Sequence, residues 1–398
     1  MSSSGAMNRR SFLSALSLTC AAVLCGCGAS PAPPSTANAS AGASAAGSAQ
    51  AQGSGSAWQQ MVDAAKREGT VNLYGGNARD NQAMIPLFEK AFPSIKVAGT
   101  FAPGGDLVTR IVAERTAGKY LADVLIGPGA SAIVPLKPIG GLRPMADLLI
   151  GPDMVDPSKW FDGHLWWLDA KEPYTTLAYQ GTVQESVYYN TKMVDPKQFT
   201  SYKELLDPKW NGKIVATDVR KPGAGAVPTR FMYKHPDLGP DFLRNLFGST
   251  NITLSSNQGQ MIDWVAQGRY LLGMFPNPPE VLHAAEQGLP VAMMPGDQFK
   301  EGAPIGPGGG AVSLVDKGPH PNAAAVFVNW LLSREGQTFW QEQVQQNSLR
   351  IDIPKEGFPT SNIPKPGVKY VNAATEDYAQ LSGTVITDLV TNAIDKKQ

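Results

Sequence analysis

Residues 70–127 read TVNLYGGNARDNQAMIPLFEKAFPSIKVAGTFAPGGDLVTRIVAERTAGKYLADVLIG. Three short β-rich runs, TVNLY, IKVAGTF and ADVLIG, alternate in this stretch with two longer segments whose apolar residues recur at helical spacing. A further helix is expected just before it, over AWQQMVDAAKREG. Such alternation predicts an α/β domain with a largely parallel sheet.

The later half of the chain predicts a second α/β unit. SYKELLDPKWNGKIVATD is expected to form a helix, a Pro/Gly break and a strand. The other expected strands are NITLSS, LLGMF and PVAMMP, and the other expected helices are PTRFMYKH, GPDFLRNLF, QGQMIDWVAQGRY and PPEVLHAAEQG. Between the two units, LWWLDA, TTLAYQG and ESVYYNTKMV are rich in β-branched and aromatic residues and predict adjacent strands. After the glycine-rich segment 302–315, long helices are expected over 321–344 and 376–395.

Composition excludes several classes of function. The 34 basic and 34 acidic residues give a net charge of +0, which argues against a broad nucleic-acid-binding face. All three cysteines precede residue 28, so the body that follows can hold no disulfide, cysteine nucleophile or zinc–cysteine cluster. Neither a Gly-x-Ser-x-Gly elbow nor a His-Glu-x-x-His motif is present, and the four histidines are dispersed. We therefore expect a non-enzymatic protein without a cofactor or a resident metal.

The first residues resemble an export signal. Arg9 and Arg10 precede a 14-residue, mostly apolar segment, which is shorter than the roughly 20 residues of a membrane-spanning helix. RRSFLS is similar to the twin-arginine export motif, and LCGC, ending at Cys27, resembles a bacterial lipobox. The alternative is an ordinary cleaved signal with incidental cysteines. The expectation is a signal peptide over 1–26 and a lipid on Cys27.

Residues 28–57 contain no charge and no aliphatic side chain larger than alanine. Such a segment buries too little apolar surface to offset the entropy of ordering. Together with Cys27, it predicts a flexible tether over 27–57 that holds the body near the outer face of the cell membrane or in the periplasm.

Three further segments carry a family resemblance: AAKREGTVNLYGG, ERTAGKYLADVLIG and HPNAAAVFVNWLLSREGQTFW. YNTKMV and LLDPKWNGKIV lie between them in the expected order. Together they resemble the extracellular solute-binding proteins of ABC importers, in the branch that includes ferric-iron binders. The resemblance covers roughly residues 57–350.

This resemblance implies a periplasmic-binding-protein type II fold, in which two α/β lobes joined by a hinge close on a ligand. The boundaries expected from it are 58–128 plus 276–350 for lobe 1, 129–275 for lobe 2, and a C-terminal extension over 351–398. A monomer that delivers a small ligand to a membrane permease and its ATPase is the implied partner arrangement.

Candidate ligand-binding residues of the first unit follow its strands, because ligands of open α/β sheets bind beyond the carboxyl ends of the strands. Gly76, Asn77 and Arg79 come after the first strand, and Gly129 and Ser131 after the third. The glycines allow close backbone approach, and Arg79 would pair with an anion. The alternatives are a tight turn with a solvated arginine, and a serine that caps its own helix.

Candidates in the second unit come from TDVRKPGAGAVPTR, where Arg220, Gly223 and Gly225 precede a helix. The spacing fits an anion cradle at a helix N-terminus better than a dinucleotide fingerprint, because position 228 is proline. A surface arginine is the alternative for Arg220. Asn257 and Asn277 follow later strands and complete the candidate set.

Ferric iron is the alternative ligand. Ferric binders of the resembling branch carry a tyrosine pair at about the place where this chain has Phe275 to Pro278, and this departure argues against tyrosine-coordinated iron. Tyr188 and Tyr189 are adjacent on an expected strand, so their side chains should face opposite ways, one into the core and one to the surface. The first hypothesis is therefore an anionic or oxygen-rich solute, with a ligand-presenting sensor or an exported enzyme as less favoured functions.

Overall fold

The computed structural model describes residues 41–396, apart from residues 77, 155, 222–223, 359, 369 and 382–383. The leader with Arg9, Arg10 and Cys27, and the candidate residues Asn77 and Gly223, lie outside the described residues. The compact unit that contains the sheets spans Ala49–Gln398. Within the described part of the chain, no helix is both long enough and apolar enough to cross a membrane.

The first sheet begins as the alternation predicts. The parallel strands are β1 (Thr70–Gly75), β2 (Lys96–Phe101) and β3 (Val124–Ile126). The helices are α1 (Ala41–Glu68), α2 (Ala78–Ala91) and α3 (Gly104–Thr116). Helix α1 begins at Ala41, within the segment 27–57 that was expected to be a tether.

Later segments complete this sheet. Strand β14 (Ala311–Val315) inserts antiparallel between β3 and β6 (Thr176–Ala178) and also pairs with β4 (Leu142–Arg143), while β5 (Trp166–Trp167) pairs with β6 at the edge. The sheet order is β2-β1-β3-β14-β6-β5. Strands between residues 142 and 178 thus belong to the first sheet and lie beyond the expected lobe boundary at 128.

The second sheet has the order β10-β9-β11-β8-β12. Its strands are β8 (Val187–Asn190), β9 (Ile214–Thr217), β10 (Thr253–Ser255), β11 (Leu272–Met274) and β12 (Val291–Met293). Four helices accompany them: α5 (Ala226–Lys234), α6 (Gly239–Ser249), α7 (Gln258–Ala266) and α8 (Pro278–Glu286). Separate buried apolar clusters lie on the two sheets, with Phe88 and Phe327 in the first and Phe231 and Leu243 in the second.

A small third sheet connects the two parts. Strand β7 (Thr182–Val183) lies on the passage from β6 to β8, and β13 (Ala303–Gly306) on the return from β12 to β14. They pair antiparallel, and β15 (Tyr370–Asn372) adds parallel to β13. The chain then forms α11 (Glu376–Ala379) and α12 (Thr384–Asp395), which contacts α6. The crossing strands therefore stand between the two sheets.

Two expected helices differ from the structure. The helix expected at the start of SYKELLDPKWNGKIVATD is a 3-10 turn, Tyr202–Leu206, which follows a Ser201–Glu204 capping box. The expected Pro/Gly break holds a second 3-10 turn, Pro208–Trp210. Residues 321–344 form two helices, α9 (Pro321–Leu332) and α10 (Arg334–Val344), since the Ser333 side chain caps the second helix by accepting from the Gly336 amide.

Candidate functional site

Two neighbouring cavities lie where the crossing strands meet the two sheets. The larger, of about 410 Å³, lies between the start of α4 (Ala130–Leu136) and α5. The smaller, of about 340 Å³, lies between the ends of β1 and β3 and helix α10. Pro128 lines both cavities, and we call them together the cleft. We name the larger one the arginine cavity and the smaller one the aspartate cavity, after the charged residues described below.

The turn Gly306–Gly309 forms the floor shared by the two cavities, with Gly308 lining the arginine cavity and Gly309 the aspartate cavity. It connects β13 to β14, as expected of a return loop near the hinge. A Cβ added at the following Gly310 would lie 2.1 Å from the Cβ of Gln180. Only glycine permits this close approach, so the glycine-rich run serves packing at the crossing strands.

The wall from the first sheet is the segment that follows β3. Gly127 donates its amide to Ala311 O at 2.9 Å and holds the segment against β14. Gly129 has φ 55°, a left-handed conformation that aims the chain into α4. The Ser131 hydroxyl donates to Pro128 O at 2.5 Å and keeps its lone pairs for another donor. Gly129 and Ser131, both predicted from sequence, line the arginine cavity, and Gly76 lines the aspartate cavity.

Arg230 supplies the positive charge of the arginine cavity. Helix α5 places it opposite Ser131 and Gln184, with Val227 one turn earlier. Burial lowers the pKa of its guanidinium, and no described carboxylate or carbonyl accepts a hydrogen bond from it. A partly buried, always charged group without a partner is costly to the folded protein. The arrangement is suited to bind an anion.

The aspartate cavity has the opposite charge. Asp80, in the first turn of α2, lines it together with Gln180, Trp340 and Gln346. The Trp340 indole donates to Gln180 Oε1 at 3.1 Å. No lysine, arginine or histidine is among the described residues that line this cavity.

Tyr179 lies beside this cavity, and the charge of Asp80 affects its pKa. Its ring stands edge-on to Trp340 at 5.2 Å, and its hydroxyl is buried with no described hydrogen-bond partner. Burial, and after it the negative charge of Asp80, raises the pKa of Tyr179 well above its ordinary value.

The two arginines that were predicted to bind an anion are not among the described residues that line the two cavities. Arg79 is exposed. Arg220 donates from both sides of its guanidinium to Asp218, at 2.8 and 3.0 Å, and these hydrogen bonds raise its pKa. The charge of Arg220 is therefore already balanced within the protein.

The remaining predicted residues have local structural contacts. Gly225 precedes α5, where an added Cβ would lie 2.6 Å from the Val219 side chain. Asn257 caps α7 by accepting from the Gln260 amide at 3.0 Å, and Asn277 donates to Glu280 at 3.0 Å. None of these three is among the described residues that line the two cavities.

Sequence reasoning missed Arg230, Asp80, Gln180 and Gln184 as cleft residues. Arg230 is the last residue of the quoted stretch TDVRKPGAGAVPTR, but it lies inside a helix, five residues after Gly225, and no motif marks it. Gln180 and Gln184 flank the crossing strand β7, a position that a two-lobed fold would place at the cleft. These two glutamines could be recognised as cleft residues only once the crossing strands were known.

Glu185 is a buried acidic group at the crossing strands, next to Gln184. Glu185 is only 3 % exposed, and its Oε2 atom has no described hydrogen-bond partner. Burial raises the pKa of Glu185 to about 8, helped by the charge of Asp297 and opposed by Lys365 and the Gly296 amide. This carboxyl is therefore largely protonated at neutral pH.

The tyrosines adjacent on β8 divide between interior and surface. Tyr188 is fully buried and Tyr189 is half-buried, in line with the alternation of a strand. Phe275, at the place of the expected tyrosine pair, is also fully buried. No tyrosine, histidine or cysteine is among the described residues that line the cleft.

Comparison with known proteins identifies the fold. Residues 48–338 match the family profile described as bacterial extracellular solute-binding protein. A search of curated proteins finds no match. Similar solved structures include apo FutA2 from Synechocystis PCC6803, at 17% identity and a TM-score of 0.62, which covers 83% of this chain and 99% of that one.

Two further similar structures differ in the ligand that they are named for or were solved with. Ferric iron-binding protein A from Mannheimia haemolytica, in an open conformation, has 15% identity and a TM-score of 0.61 over 81% of this chain and 98% of that one. AfuA from Actinobacillus pleuropneumoniae, with fructose-6-phosphate bound, has 17% identity and a TM-score of 0.52 over 82% and 97%. These likenesses confirm the predicted type II periplasmic-binding-protein fold, with two α/β lobes and a cleft between them.

Proposed function

Because this chain belongs to the bacterial extracellular solute-binding protein family, we propose that its cleft captures a small anionic solute and delivers it to an ABC permease. The observation that carries the proposal is Arg230, a partly buried cation in the cleft with no described partner. An anionic ligand would supply the partner that the protein lacks. The reaction is binding and release, with no bond made or broken.

The surroundings of Arg230 support an oxygen-rich anion. The Gln184 amide lines the same cavity and is able to donate to ligand oxygens, whereas the Ser131 hydroxyl, which donates to Pro128 O, is able to accept from a hydroxyl or a protonated oxygen of the ligand. Charge-assisted hydrogen bonds from a guanidinium to a carboxylate or phosphate are about twice as strong as neutral ones. Closure of the lobes would exclude water and strengthen them further.

The proposed lobes follow the sheets. One comprises the elements of the first sheet, up to β6 and again from β14 to α10, and the other runs from β8 to β12. Strands β7, β13 and β15 would then be the hinge. The segment after α10 returns to the second lobe, where α12 contacts α6.

Ferric iron is the second candidate, because the similar solved structures include a ferric iron-binding protein and a protein solved with iron bound. The donor set of the cleft favours an anion over bare iron, since no tyrosine or histidine is among its described lining residues. Elemental analysis after loading with ferric citrate distinguishes the two: stoichiometric iron in the Arg230→Gln variant would contradict an anion site built on Arg230.

Isothermal calorimetry with a panel of carboxylates, phosphonates and phosphate esters tests the proposal. We expect at least one anion to bind the wild-type body, and Arg230→Gln to weaken it about 100-fold, as for the loss of a charge-assisted contact. Arg244→Gln is the matched control, because that arginine lies on the surface of α6 and pairs with Asp241. Equal affinity in all three proteins, or binding of neutral and cationic compounds alone, would overturn the anion assignment.

The proposal also covers the membrane anchoring of the protein and the process that its ligand binding serves. A lipid on Cys27 would tether the exported monomer to the membrane, whereas presentation to a sensor and exported catalysis are the less favoured outputs. Cys27→Ser should release the protein from membranes and abolish palmitate labelling. Retention with undiminished labelling would show that Cys27 is not the attachment point.

A further inference from the structure

The two cavities of the cleft carry opposite charges, and from this we propose that the ligand is bipolar: an anionic group at Arg230 and a cationic ammonium group at Asp80. The inference rests on the proposed anion-binding function and narrows it from anions in general to zwitterions such as ω-amino carboxylates and ω-amino phosphonates.

The cavities adjoin along two backbone segments. Gly127 lines the aspartate cavity, Gly129 the arginine cavity, and Pro128 lies between them and lines both. The turn from β13 to β14 repeats this order, with Gly308 in one cavity and Gly309 in the other. One ligand lying across Pro128 would therefore extend into both cavities. Volumes of about 410 and 340 Å³ leave room for a short chain and its two end groups.

The aspartate cavity is built to accept a donor. A carboxylate has about four lone-pair positions, so Asp80 is able to receive an ammonium group beside its contacts within the protein. Gln180 and Gln346 add amide oxygens, and Trp340 adds an aromatic ring whose face attracts a cation. The described lining contains no basic residue that would compete.

A simple anion fits this cleft less well. In the arginine cavity it would gain the contact with Arg230, but any negative group that extended past Pro128 would meet Asp80 and be repelled. After burial, the negative charge of Asp80 also contributes to the raised pKa of Tyr179. A ligand with an ammonium group reverses this repulsion. A hydroxylated anion, such as a hexose phosphate, would instead offer Asp80 neutral hydroxyl donors.

The experiment compares pairs of probes that differ only in the amino group. Calorimetry uses 3-aminopropylphosphonate against propylphosphonate and 5-aminopentanoate against pentanoate, with glucose 6-phosphate as the hydroxylated arm. We expect the wild-type protein to bind the better amino compound at least about tenfold tighter than its partner without the amino group. Asp80→Asn should reduce this ratio to near one, because the amino compound loses its carboxylate partner.

A matched variant guards against misfolding. Asp80 is in the first turn of α2, where an acidic residue also stabilises the helix. Asp106→Asn makes the same change in the first turn of α3, at an exposed residue that is not among those lining the cleft. Asp106→Asn should leave unchanged the ratio of affinities between the amino compound and its partner without the amino group. Thermal unfolding of both variants shows whether the fold is kept.

The outcomes separate the inference from the function on which it rests. Equal binding of the two members of each pair, or an unchanged ratio in Asp80→Asn, would overturn the bipolar ligand and leave the anion site standing. Tightest binding of glucose 6-phosphate, weakened by Asp80→Asn, would also overturn it, in favour of a hydroxylated anion. Failure of every anion to bind, with or without an amino group, would overturn the proposed function itself.

Discussion

Arg350 and Arg230 are both removed from bulk water, but only one of them has partners. Arg350 has a side chain that is 0 % exposed, and it donates to Asp153 and Asp352 at 2.8 and 2.7 Å. Arg230 lies in the cleft and is paired with no described residue. The protein therefore satisfies the buried charge of Arg350 with its own carboxylates and leaves the charge in the cleft without a described partner.

The acid–base behaviour of the two arginines shows the same contrast. Burial opposes the charge of Arg350, but hydrogen bonds to Asp352 and Asp153 outweigh it and raise the pKa. At Arg230 burial acts alone and lowers the pKa. A charge paired within the chain contributes to one folded structure, whereas an unpaired charge in a cavity contributes when a ligand arrives.

Among the ion pairs, the largest expected effect is on the paired arginine. Arg350→Met should lower the free energy of unfolding by about 3 kcal/mol, because it leaves Asp153 and Asp352 without their common partner and frees Leu332 O. Urea unfolding measures the change, with Arg244→Met on the surface of α6 as the control. A loss no larger than that of the control would contradict the structural role of Arg350.

Glu185 extends the comparison to an acidic group without a full set of partners. Its pKa is about 8 in the folded protein against an ordinary value of 4.5, so the folded state holds a proton that the unfolded state has lost between these values. Stability should therefore be complete below pH 4.5 and fall, by about 1 kcal/mol per pH unit, as pH rises towards 8.

Glu185→Gln should remove this part of the pH dependence, because the amide cannot ionise. The measurement is the free energy of unfolding of both proteins at several pH values, with Glu342→Gln, an exposed glutamate on α10, as the control. Parallel curves for Glu185→Gln and wild type would show that this carboxyl is ionised in the folded state.

Removal of the unpaired arginine should act in the opposite direction to that of the paired one. Arg230→Met takes away a desolvated charge and places an apolar chain beside Val227, so the ligand-free protein should gain about 1 kcal/mol of stability while it loses anion binding. Thermal unfolding without ligand tests this. A destabilisation as large as that of Arg350→Met would mean that Arg230 is held by contacts within the protein.

The smallest expected effect concerns an ion pair of intermediate exposure. Glu376, at the start of α11, accepts from Lys137 Nζ and from the Ala170 amide, each at 3.2 Å, and so joins the C-terminal segment to the first sheet's side of the cleft. Glu376→Gln should cost about 0.5–1 kcal/mol, and less at high salt because screening weakens the pair. A cost that does not change with salt would show that the charge is not the source of the stabilisation.

The first unit of the fold was predictable because its information is local. Strand and helix periods in residues 70–127 specify β1, β2 and β3 with their helices, and the ends of parallel strands place Gly76, Gly129 and Ser131 at the cleft. The insertion of β14 between β3 and β6 was not predictable, since its partners are more than 130 residues away in the chain.

Sequence alone determined the α/β class, the two-lobed family fold and the absence of cysteine from the body, because these depend on periodicity, segment order and composition. Only the tertiary structure decided which arginine is open to a ligand. Arg220 follows a glycine-flanked strand but is bound by Asp218, whereas Arg230 comes from an unremarkable helical turn and faces the cleft. The reason is physical: the availability of a charge depends on which groups fold against it, and those contacts join parts of the chain that are distant in sequence.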